Sequence, residues 1–123
     1  STMVYGNQWD EIMSWLVTTG DKTEQQVNEN SADWGNYSDS TGAAATNSGN
    51  LQTSGKNEAW KANNIYDLAG NCEEWVQEAS STGGRIRRGG IFEGTSTPAS
   101  GYSYGSPNGA GYGTSTRPAL YIK

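Results

Sequence analysis

Apolar residues are sparse along this chain, and their spacing identifies few regular elements. Trp9, Ile12, Met13 and Leu16 recur at i, i+3, i+4 and i+7, the spacing of one buried helix face. An amphipathic helix is expected across Gln8–Leu16, with Asn7 as its N-cap, Asp10 and Glu11 near the positive end of its dipole, and Thr18-Thr19-Gly20 as its stop. From Asp21 to Lys61 the chain is polar and low in complexity, punctuated by Trp34, Tyr37 and Trp60. That pattern predicts long polar loops pinned by aromatic rings. Three short strands are expected at Glu73–Glu78, Arg85–Gly90 and Ala119–Ile122. The first two are joined by Ser81-Thr82-Gly83-Gly84, a turn of hairpin length. Between the second and third lies Ile91–Thr116, rich in Gly, Ser, Thr, Tyr, Pro and Asn, the composition of an antibody contact surface. Its three tyrosines, Tyr102, Tyr104 and Tyr112, are poor linker residues, so it reads as a loop anchored at both ends.

Composition changes this picture in three ways. Val, Ile, Leu and Phe make up about a tenth of the 123 residues, a level at which disorder becomes the expectation. The 5 Trp and 7 Tyr reverse it, because each ring buries far more area than an aliphatic side chain; one small domain with an aromatic core follows. The net charge of −5 leaves no basic stripe for a nucleic acid. A mean hydropathy of −0.78 with no long apolar run excludes a membrane-spanning helix. Zero His and one Cys remove Ser-His-Asp and Cys-His couples, His-ligated zinc, Cys₄ sites and any internal disulfide. The neighbouring acids Glu73 and Glu74 fall on opposite faces of a strand and make no acid–base pair. No signal peptide is visible, and the abrupt start at Ser1-Thr2-Met3 reads as a fragment, the C-terminal part of a longer protein.

The run Asn64-Ile65-Tyr66-Asp67-Leu68-Ala69-Gly70-Asn71-Cys72-Glu73-Glu74-Trp75, followed by Arg85-Ile86-Arg87-Arg88-Gly89-Gly90, resembles the signature of the formylglycine-generating-enzyme-like (sulfatase-modifying-factor) branch of the C-type lectin fold. That branch reads N-x-x-D-hydrophobic-x-G-N-V-W-E-W and then R-x-x-R-G-G. Ser115-Thr116-Arg117-Pro118 stands where the family closes on G-F-R, and Trp9-Asp10 where its early helix carries a tryptophan. Cys72-Glu73 replaces the usual Val-Trp, which removes an aromatic from the expected core. The resemblance implies a single α+β domain over residues 1–123, C-type lectin-like, with a small, mostly antiparallel sheet, one or two helices and long loops. The first and last strands should lie together.

The chain also resembles the variable proteins of diversity-generating retroelements, which diversify residues after an R-G-G block on a fixed scaffold. Adenine mutagenesis of AAC or AAT codons cannot produce Trp, Lys, Gln, Met or Glu, and between Ile91 and Thr114 only Glu93 belongs to that set. The resemblance implies a non-enzymatic, monomeric recognition domain, extracellular on a phage tail or bacterial surface. Its binding residues would be Ile91, Phe92, Glu93, Thr95, Gly101, Tyr102, Tyr104, Gly105, Ser106, Asn108, Ala110 and Tyr112, forming one exposed patch. The partner is a protein on a cell or phage-host surface, or alternatively a glycan, because aromatic residues dominate protein hot spots and also stack on sugars. The alternative identity is a sulfatase-modifying-factor-like domain with a carbohydrate-binding or structural role, inactive because the C-terminal cysteine pair is missing. Cys72 is then a buried core thiol. The family further implies calcium, held by the carboxylates of Asp67 and Glu74 and the carbonyls of Gly70 and Cys72; against it, Asp67 caps a turn and Glu74 pairs with Arg88 or Arg117.

Overall fold

The computed structural model describes residues 2–80, 83–108 and 111–119. Strand β1 (Thr2–Met3) leads into helix α1 (Gly6–Thr18), then helix α2 (Glu24–Asn28). A long polar segment with two 3₁₀ turns, Gly42–Ala45 and Glu58–Trp60, runs into a small hairpin of β2 (Lys61–Ala62) and β3 (Ile65–Tyr66). Strands β4 (Glu73–Ala79), β5 (Arg85–Arg88), β6 (Tyr102–Gly105) and β7 (Thr114–Thr116) form the principal sheet in the order β6-β5-β4-β7, and β8 is Pro118–Ala119. The domain is α+β with two helices and mostly antiparallel sheets; β7 alone runs parallel to its neighbour β4. Strands β1 and β8 pair antiparallel, so the described ends of the chain meet.

Helix α1 buries Trp9, Met13 and Leu16 and half-buries Ile12, the face expected from the spacing. Its start differs from expectation. Tyr5 is the N-cap, and its backbone N–H donates to Gln8 Oε1 (2.8 Å). The helix therefore begins before Asn7, and Asp10 and Glu11 lie beyond its first turn. Helix α2 sits inside the segment expected to be irregular; Thr23 and Gln26 form a reciprocal capping box around it, and its only buried residue is Val27.

The scarcity of aliphatic residues is resolved by rings that are apolar at one end and hydrogen-bonded at the other. Trp9, Trp34, Tyr37 and Trp60 are at most 3% exposed. Each buries about 150–250 Å², roughly 4–6 kcal/mol of transfer energy at about 25 cal/mol per Å². Each also donates to a carbonyl of another segment: Trp9 to Ala99 (3.0 Å), Trp34 to Gln26 (2.9 Å), Tyr37 to Gly89 (2.7 Å) and Trp60 to Ala44 (2.9 Å). The rings therefore fix loops as well as fill the core.

The Gly70-Asn71 pair ties the central block to its surroundings. A Cβ on Gly70 would stand 2.1 Å from the Asn36 carbonyl oxygen, so only glycine allows that approach. Asn71 exchanges side-chain hydrogen bonds with the backbone of Gln52, and its Oδ1 also accepts from Asn36 Nδ2 (3.0 Å). A Cβ on Gly89, whose φ is +90°, would stand 2.8 Å from the Leu68 carbonyl oxygen. The R-G-G block is thus a close crossing of backbones beneath Trp9.

Candidate ligand-binding surface

Strands β4 and β5 carry two faces of opposite character. Glu74, Val76, Ile86 and Arg88 point into the domain and are buried. On the other face Glu73 bonds Arg87 (2.9 Å) and accepts from Ser103 (2.6 Å), while the Arg87 guanidinium lies over Trp75. Glu73 and Glu74 do separate to opposite faces. The Glu73 position faces away from the core, so it is not the core aromatic site the resemblance implied.

Residues 91–116 were expected to form one loop anchored at both ends, but Tyr102–Gly105 is strand β6, paired in register with β5 from Arg85↔Gly105 to Arg88↔Tyr102, and Thr114–Thr116 is β7. The twelve candidate contact residues divide. Tyr102 and Tyr104 are 63% and 60% exposed on β6, and Tyr112 is 73% exposed beside β7, at the other edge of the sheet. Glu93, Thr95, Ser106 and Asn108 are exposed; Ile91, Gly101 and Gly105 are half-buried. Phe92 is a correction: it is 3% exposed and supports Tyr112, ring edge to face at 5.5 Å. Gly105 is another, since a Cβ there would stand 2.6 Å from the Trp75 ring and could not vary freely. Ala110 lies outside the described residues. The exposed tyrosines therefore gather at two edges rather than in one patch.

Tyr102 and Tyr104 stand edge to face at 5.7 Å. Their register with Arg88 and Ile86 puts them on the inward face, where they line a groove of about 730 Å³ with Asp10 of α1, Glu78, Arg88 and Ser100. Arg88 is 6% exposed and bonds Asp10 of α1, with Glu78 3.9 Å away. Glu78 lies across the start of α1: a Cβ on Gly6 would fall 2.0 Å from its carboxylate. Hydrogen bonding with Tyr102 pushes the Tyr104 phenol above its ordinary value. Asp10, Glu78 and Ser100 escaped the sequence reading, because no local spacing connects residues 10, 78 and 100 to a tyrosine pair.

The calcium ligands implied by the family resemblance come together differently. The Arg117 guanidinium donates to both Glu74 oxygens (Nε 2.9 Å, Nη2 2.6 Å) and to the carbonyls of Tyr66 (2.8 Å) and Asp67 (3.2 Å). Of the implied oxygen cage, the Glu74 carboxylate is thus filled by the chain's own guanidinium, which also takes the Tyr66 and Asp67 carbonyls. Asp67 Oδ1 is buried without a partner, yet among the described residues no group of three His, Cys, Asp or Glu could hold a metal ion. With both of its oxygens committed to Arg117, the Glu74 carboxylate is not free for calcium. Of the two arginines open to Glu74, Arg117 is the partner. Cys72 is half-buried rather than a core thiol, and burial, with the Glu74 charge behind it, pushes its thiol up and away from the reactive thiolate.

No helix among the described residues is long and apolar enough to cross a membrane. Comparison with known proteins returned no match to any family model, curated protein or solved structure.

Proposed function

We propose that this chain is a non-enzymatic recognition domain with a C-type lectin-like fold, similar to the variable proteins of diversity-generating retroelements. It binds a protein on a cell or phage-host surface, and is itself displayed outside the cell on a virion tail or bacterial surface. One observation carries this reading. Tyr102, Tyr104 and Tyr112, all 60% exposed or more, are the most exposed large hydrophobic residues described, and all lie in the segment between the R-G-G block and Arg117. Around them the supports are buried: Ala99 bonds Trp9 and Ser31, and Gly89 bonds Tyr37 and Gly70. Exposed rings on a separately anchored backbone permit change of contact without change of fold.

The test is a displayed library randomised at Tyr102, Tyr104, Ser106, Asn108 and Tyr112. Most members should fold with melting temperatures near the parent's, and selection against bacterial surface proteins should yield binders of differing specificity. A library in which most members fail to fold would end the proposal. A second reading, a sulfatase-modifying-factor-like domain that binds carbohydrate, is favoured by the tyrosine pair standing beside carboxylates. Retention on a glycan array with no protein binders would decide for it.

A further inference from the structure

We propose that the groove between β6 and α1 accepts a cationic side chain, an arginine of the partner protein. This assignment rests on the recognition reading above and names the chemistry of that site. The rings of Tyr102 and Tyr104 offer negatively polarised faces at the mouth of the groove. Across from them are two carboxylates open to solvent, with side chains 63% exposed for Asp10 and 48% for Glu78. Arg88 is the single cation among the described residues lining the groove, and its side chain is only 7% exposed. Its guanidinium is bonded by Asp10 with Glu78 3.9 Å away, so an incoming anion would meet two more exposed carboxylates beside it. Two negative charges against one positive leave the groove with one negative charge in surplus, on a chain whose net charge is −5.

A planar guanidinium satisfies both features at once. It stacks on tyrosine while its edge donates to a carboxylate. Tyr and Arg are also the residue types that recur as paired anchors at the centres of protein interfaces. The 3.9 Å gap between Glu78 and Arg88 leaves Glu78 the less committed of the two acids. Glu78 is therefore the residue assigned to the incoming cation, with Asp10 fixed to Arg88.

The test is a titration of the intact domain followed through the ring resonances of Tyr102 and Tyr104. The probes are N-acetyl-arginine methylamide, its neutral citrulline counterpart and a methyl glycoside. The arginine probe should shift both rings saturably, and citrulline should bind about threefold to tenfold more weakly, the range of one exposed cation–π contact with one surface ion pair. Glu78→Gln should reduce arginine binding part of the way to the citrulline level, by the share of the ion pair alone, while leaving circular dichroism unchanged, and added salt should do the same. Citrulline or glycoside binding as well as arginine, or no ring shift with any probe, overturns the cation assignment. Neither result touches the recognition reading, which fails separately if Tyr102→Ser with Tyr104→Ser unfolds the domain.

Discussion

Replacing Arg117 by Gln tests the clamp that fastens the end of the variable segment to the scaffold. The guanidinium makes four hydrogen bonds, two to the Glu74 carboxylate and two to the carbonyls of Tyr66 and Asp67. Glu74 is 5% exposed, so the substitution leaves a buried carboxylate with no cation. Breaking a buried pair from one side costs about 3–5 kcal/mol. The Arg117 side chain is 27% exposed, and water reaching that end reduces the expected loss to about 2–4 kcal/mol. For a domain of this size the melting temperature should fall by roughly 10 °C. The loss should also depend on pH. Burial already raises the Glu74 pKa above its ordinary value while Arg117 holds it down. Removing Arg117 lets burial and the nearby Asp67 act unopposed, and the pKa rises further. A carboxyl whose folded pKa exceeds its unfolded one binds more protons in the native state. Its penalty is absent below the unfolded value, near 4.5, and grows as pH rises through the folded one. The gap between variant and parent should therefore narrow on going from neutral pH towards pH about 5. Urea unfolding followed by tryptophan fluorescence at both pH values measures it, with carbon-detected titration of the Glu74 carboxyl alongside. A loss under about 1 kcal/mol, or one of equal size at both pH values, would refute the argument that this pair is a buried clamp.

The same clamp implies that chelator or millimolar calcium leaves the parent's melting temperature unchanged; a calcium-dependent rise would contradict the filled cage. Gly89→Ala should cost about 1–3 kcal/mol, because it combines a left-handed φ with a Cβ against the Leu68 carbonyl; circular dichroism melts would show it. Phe92→Ala should cost about 3–5 kcal/mol while Tyr112→Ser, on the exposed side of the same ring pair, should cost under about 0.5 kcal/mol; equal losses would mean the two rings are not divided into support and contact. Cys72 should react with iodoacetamide more slowly than a free thiol at neutral pH, with the rate climbing as pH rises towards its elevated pKa, and Cys72→Ser should fold normally; fast labelling at neutral pH would show the thiol is not masked.

Helix α1 and the β4–β5 hairpin were readable because their signals are local. Trp9, Ile12, Met13 and Leu16 repeat within two turns, and the turn-forming Ser81-Thr82-Gly83-Gly84 separates two strand-like runs. The aromatic pins at Trp34, Tyr37 and Trp60 were readable too, since no other residues in that polar stretch could bury comparable area. Two further elements left traces that were passed over: the Thr23-to-Gln26 capping box of α2, and the Tyr-Ser-Tyr alternation of β6 inside what reads as a loop. Other features have no local signature at all. The parallel pairing of β7 with β4, the choice of Arg117 over Arg88 by Glu74 and the meeting of Asp10 with the tyrosine pair join residues about 40 to 90 positions apart, and the burial of Phe92 rests on packing rather than on spacing. Arg88 shows the reason. It stands opposite Glu74 in the strand register yet bonds Asp10 on α1, because the packing of the helix across the sheet puts one carboxylate nearer its guanidinium than another. Local spacing sets which face a side chain occupies; the tertiary packing sets which charge it meets there.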